Sequence, residues 1–139
     1  MFENILVAVD GSKHSDAAFD VAIDIAQKYD SQLFVLHVYQ GGTGFGTLVS
    51  PGFEDDMRDI GQQILDSYEA RARERRYQNV RMFLEEGDAA KRIMEIANEI
   101  DCRLLLMASR GRGGFKELLL GSVSHKVANH ADCPVLIVK

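Results

Sequence analysis

Apolar and polar positions along this chain alternate between two rhythms. Ile5 to Val9 is a short β-branched run that stops at Asp10-Gly11 and predicts a buried strand. Ser12 or Ser15 then caps a helix, on which Ala18, Val21, Ala22, Ile25 and Ala26 share one face at three-to-four spacing. Gln32 to Val38 predicts a second buried strand, and a long loop from Gln40 to Glu54 follows. Met57, Ile60, Ile64, Leu65 and Tyr68 lie on one face of a second helix, whose charged face ends in RARERR. Val80 to Leu84 predicts a third strand, placed at a sheet edge by the polar Arg81. Gly87-Asp88 caps a third helix that turns Ile93, Ile96, Ala97 and Ile100 inward. Leu104 to Ala108 is a fourth strand, then come a helix near Ser122 to Asn129 and a strand from Pro134 to Val138.

Strands that alternate with helices imply right-handed crossovers, and so an open five-stranded parallel α/β sheet with helices on both faces. If the first three strands step outward and the fourth crosses back beside the first, the order is 3-2-1-4-5. Ligands of such sheets sit beyond the carboxyl ends of the strands, where the order reverses. Here that crevice falls between Val9-Asp10 and Met107-Ala108-Ser109.

Composition narrows the picture. The chain has 139 residues, 46 % hydrophobic and 27 % charged, and reads as one globular domain over residues 1–139 without linker or repeat. Its net charge of -5 argues against a general nucleic-acid or anionic-membrane binder. No stretch approaches the roughly 18 apolar residues of a membrane span. The first residues enter the first strand without a basic leader or cleavage site, so a cytoplasmic location is expected. Cys102 and Cys133 lie far apart in sequence, with neither CxxC nor zinc spacing, and read as small buried residues with reduced thiols.

The residues most suggestive of chemistry run from Met107 to Ser124. Gly111, Gly113 and Gly114 crowd together after the fourth strand, and Gly121-Ser122 opens the last helix. Glycines let backbone N–H groups approach an anion, and a helix start offers free N–H groups and a positive dipole end. Arg110 and Arg112 add charge, and the alternative is a plain turn with a serine cap. There is no P-loop pattern, and GGTGFG does not fit GxGxxG. His37, inside an apolar strand, reads as a hydrogen-bonded core residue, and His14, His125 and His130 lack metal-ligand spacing. The loop from Gly41 to Gly52 starts at the crevice rim, where either a lid or an inert insertion would sit. The final strand is apolar up to Lys139, an edge that invites pairing with a second chain.

The spacing Ala108-x2-Gly111-x9-Gly121-Ser122 resembles the nucleotide-binding signature of the universal stress protein family. The opening ILVAVDGS, the strand end LHV, the LLLGSVS block and the ending ADCPVLIVK are similar too, so the resemblance spans the chain. It implies the 3-2-1-4-5 sheet, ATP bound across the crevice, and a homodimer made by the last strands running antiparallel. Matched by position, it implies that Ala8, Val9 and Asp10 meet adenine and ribose. Val38 would hold the adenine edge, and Met107 and Ala108 would run beside the ribose. Gly111, Arg112, Gly114, Gly121, Ser122, Val123 and Ser124 would surround the phosphates, with Mg or Mn carried mainly by phosphate oxygens and water. Ala108 departs from the pattern, which has glycine there. A methyl against the ribose would weaken ATP by roughly 1–3 kcal/mol. The function implied is an ATP-binding regulatory protein that acts on an unknown protein partner through a conformational or partner switch. Two other readings are a nucleotide hydrolase and a nucleotide-free interaction module.

Overall fold

The computed structural model describes residues 1–41, 51–110 and 120–139. Its strands are β1 (Asn4–Ala8), β2 (Gln32–Tyr39), β3 (Val80–Glu86), β4 (Leu104–Ala108) and β5 (Val135–Val138). Its helices are α1 (Lys13–Tyr29), α2 (Phe53–Glu74), α3 (Ala89–Glu99) and α4 (Ser122–His130). The strands form one sheet of order β3-β2-β1-β4-β5, and every pairing is parallel. The expected reversal therefore lies between β1 and β4, where Ala8 pairs with Met107.

Each face of the sheet buries its own apolar cluster. Ile5, Val7, Leu33, Val35 and Leu106 pack with Phe19 and Ile23 of α1 and with Ile64, Leu65 and Tyr68 of α2. Leu6, Leu36, Leu105 and Met107 pack with Ile93 and Ile96 of α3 and with Val127 of α4. The central strands are apolar, β1 from Ile5 to Ala8 and β4 throughout, because both faces are covered, as expected of a parallel sheet. β3 takes the edge that Arg81 predicts. Among the described residues, no helix is long and apolar enough to cross a membrane.

Two helix faces differ in detail from the expected ones. On α1 the fully buried positions include Phe19 and Ile23, and Val21 and Ile25 sit at the margin of the cluster. On α2 the stripe runs through Gly61, Ile64, Leu65, Tyr68 and Ala72, and Ile60 is 43 % exposed. The reason is a close approach of helix to sheet. A Cβ on Gly61 would stand 2.7 Å from Leu84 Cδ1 and 3.0 Å from His37 Cδ2. A hydropathy pattern gives glycine no weight, so it favours the neighbouring isoleucine.

Candidate functional site

The carboxyl ends of β1, β2 and β4 meet the start of α4 in one place. Val9 N–H donates to Leu36 O at 2.9 Å, which carries the β1 ladder one residue past the strand. His37 Nδ1 lies 2.8 Å from Val9 O, so the ring holds the end of β1, as its hydrogen-bonded core reading anticipates.

Asp10 begins a tight turn. Its carboxylate accepts from Ser12 N–H at 2.9 Å, and Ser12 Oγ accepts from Ser15 N–H at 3.1 Å, which caps α1. Asp10 N–H donates to Ser15 Oγ at 3.1 Å. Ser15 Oγ lies 2.7 Å from Tyr68 Oη, which in turn donates to Asp16 Oδ1 at 2.7 Å. Tyr68 has one proton and gives it to Asp16, so Ser15 is the donor to Tyr68. Arg71 closes the chain on Asp16 Oδ2 at 3.0 Å. Burial, with the Asp16 carboxylate beside it, holds the Tyr68 phenol well above the usual tyrosine range. A relay with a buried centre at Ser15 and Tyr68 thus runs from the Asp10 backbone to α2. Sequence reasoning did not find it, because Ser15 and Tyr68 are 53 positions apart.

On the other side of the crevice, Ser109 ties β4 to α4. Its carbonyl accepts from Gly121 N–H at 2.6 Å and from Ser124 Oγ at 3.0 Å. Gly121 is the N-cap of α4 with φ -67° and ψ 165°, and no side chain among the described residues caps that helix. The first N–H groups of a helix have no intrahelical partners. In α4 they belong to Ser122, Val123 and Ser124, beside the end of β4. A Cβ on Gly121 would lie 3.3 Å from Ser109 O, so the close approach, not φ, favours glycine here. The Ser124 hydroxyl is buried and also reaches Gly121 O at 3.1 Å, so it is committed to backbone carbonyls.

The other expected site residues divide clearly. Ala8 and Val38 border the cluster on the α3–α4 face, Met107 is buried in it, and Val123 packs against it from α4. Ala108 is 8 % exposed and belongs to the opposite cluster, with Val9 and Ala18, so its methyl is spent on core packing. Ser122 is exposed at the helix start. Gly111, Arg112 and Gly114 lie outside the described residues, as does most of the loop expected as a lid.

Residues 1–139 match the model of the universal stress protein family. The chain belongs to that family. It is 37 % identical over 150 residues to universal stress protein YxiE of Bacillus subtilis (strain 168), covering 100 % of each chain. A universal stress protein family member from Burkholderia pseudomallei superposes with a TM-score of 0.75 at 29 % identity, covering 99 % of this chain and 96 % of that one. A universal stress protein solved in complex with cAMP superposes with a TM-score of 0.74 at 25 % identity, covering 99 % and 96 %. The α/β sheet of order 3-2-1-4-5 is thus the fold of the family's solved members.

Proposed function

We propose that this universal stress protein binds ATP at the β1–β4 crevice in the cytoplasm and switches a surface presented to a protein partner. The observation that carries the reading is the uncapped start of α4, drawn against the end of β4 by Gly121 N–H on Ser109 O at 2.6 Å. An anion there would meet N–H groups that have no partner among the described residues and the positive end of a helix dipole, with the Ser122 hydroxyl as a further donor. Asp10 stands just past the end of the neighbouring strand, suited to a ribose hydroxyl, and the backbone of Val38, one residue before β2 ends at Tyr39, suits the adenine edge. The relative solved with cAMP supports an adenine nucleotide as the ligand class. Mg or Mn would be held mainly by phosphate oxygens and water, because a small hard cation keeps several waters. The relay from Asp10 to Tyr68 gives occupancy of the crevice a route to α2. We also propose a homodimer through β5, the other edge of the sheet.

Titration calorimetry with ATP and Mg tests the site. Gly121→Val is expected to weaken ATP at least tenfold, since its side chain collides with Ser109 O, and Ser122→Ala to weaken it several-fold. Ala108→Gly is expected to leave affinity within about twofold, because the methyl faces the core. Parent-like affinity in Gly121→Val would refute the phosphate assignment. Absence of ATP binding by the parent would leave the nucleotide-free reading standing, and multiple turnovers per minute would favour the hydrolase.

A further inference from the structure

The structure brings together two residues that the sequence keeps apart. Cys102 stands just before β4 and Cys133 just before β5, at the end of the sheet opposite the crevice. The two strands are neighbours, with Leu105 paired to Val135 and Leu105 N–H donating to Pro134 O at 2.9 Å. Both side chains join the same apolar cluster on one face of the sheet. Cys102 Sγ donates to Leu104 O at 3.2 Å, and the Cys133 thiol is near enough to act on it electrostatically. Both thiols are free, and both line a cavity of about 360 Å³ whose rim carries Met1, Phe2, Arg103 and Asp132.

Their surroundings differ. Cys102 is 7 % exposed, whereas Cys133 is half-buried at the cavity wall. Burial, reinforced by the neighbouring thiol, pushes the Cys102 thiol up to about 12. Cys102 therefore stays a thiol at neutral pH and is a poor first nucleophile, since the thiolate is the reactive form. A pair with one accessible and one sheltered sulfur suits a two-step oxidation.

We propose that Cys102 and Cys133 form a reversible disulfide within one chain when the protein meets hydrogen peroxide. Peroxide enters by the cavity, and the Cys133 thiolate attacks one of its oxygens. The O–O bond breaks, Cys133 becomes the sulfenic acid, and the hydroxide released leaves as water after taking a proton. The Cys102 sulfur then attacks the Cys133 sulfur. The S–O bond breaks, and its oxygen leaves as water with the Cys102 proton. In sum, two thiols and one peroxide give one disulfide and two waters. An external dithiol returns the electrons and restores both thiols. The ring so closed contains β4, Ala108, Gly121 and α4, so the bridge braces the two strands beneath the crevice. This inference is independent of the nucleotide reading.

The test treats the full chain with a small molar excess of hydrogen peroxide, blocks free thiols with N-ethylmaleimide and measures the intact mass without reduction. The expected product is a single chain, not cross-linked to another, lighter by two hydrogens, with neither cysteine alkylated, restored to the parent mass by dithiothreitol. Its Tm should rise by several degrees, as a cross-link closing a loop of this length predicts. Cys133→Ser should abolish the bridge. Cys102→Ala should leave Cys133 as a sulfenic acid that dimedone traps, and circular dichroism checks that both variants fold. Continued alkylation of both cysteines after peroxide would overturn the proposal. So would a cross-link between chains only, or further oxidation of one cysteine with the other still free.

Discussion

At the residue scale, the site depends on groups that never face a ligand. Asp10 is held by its own turn and by Ser15 Oγ, whose proton goes to Tyr68, and Tyr68 is anchored by Asp16 and Arg71. Tyr68→Phe removes the oxygen in the middle of this chain and keeps the ring. The Ser15 hydroxyl then turns to Ser12 O, 3.2 Å away, while the Asp16 carboxylate loses a donor, so a loss of about 1–3 kcal/mol of stability is expected. The pH dependence has a definite sign. The folded phenol ionises above its ordinary value of 10.0, so its contribution is intact at neutral pH. It declines once pH exceeds that value, because the unfolded phenol then loses its proton and the buried one does not. Urea unfolding at neutral and alkaline pH should show the parent losing stability above pH 10, with a shallower loss in Tyr68→Phe. Equal slopes for the two proteins would show that Tyr68 does not set the alkaline limit.

At the element scale, α2 sits on the sheet as closely as Gly61 permits. Gly61→Val would drive a methyl into Leu84 and the His37 ring, and His37 holds Val9 O at the crevice. The leucine tip can turn aside, but the ring is fixed by its hydrogen bond. A loss of about 2–3 kcal/mol is expected from overpacking and β-branching, read as a Tm lower by several degrees. An unchanged Tm would mean that α2 rides free of the sheet at this point. This contact also marks where the sequence stops being legible. Strands and helices follow from apolar periodicity, and their order from strictly alternating β and α elements. The crevice between Asp10 and Ala108 follows on supposing that the fourth strand returns beside the first, a strand order that the alternation allows but does not fix. Gly61 was not legible, because a close approach leaves no hydropathy signal. The Ser109 carbonyl that gathers Gly121 and Ser124 was not either, since backbone groups are the same at every position. The direction of the Ala108 methyl depends on the pleat of β4, which a spacing motif does not encode.

At the scale of the whole molecule, the two edges of the sheet differ. β3 carries Arg81 and two glutamates, Glu85 and Glu86, which discourage another strand from pairing with it. β5 carries no charge from Val135 to Val138, and Leu136 on it is 38 % exposed. Val135 and Ile137 pack toward α3 and α4, so Leu136 projects to the other face with little to cover it. A second β5 running antiparallel would satisfy the open backbone edge and bury both copies of Leu136 across a two-fold axis. In that arrangement each substitution acts twice. Leu136→Lys would place two ammonium groups against one another in an apolar seam, while changing nothing in either core cluster. The parent should elute with the mass of two chains at micromolar concentration by light scattering, and Leu136→Lys with the mass of one. The far-ultraviolet spectrum of the variant should match the parent. ATP affinity should also survive, because Asp10, Ser109 and Gly121 all come from one chain, which separates assembly from binding. A monomeric parent at that concentration would refute the dimer and leave the apolar edge to a different partner.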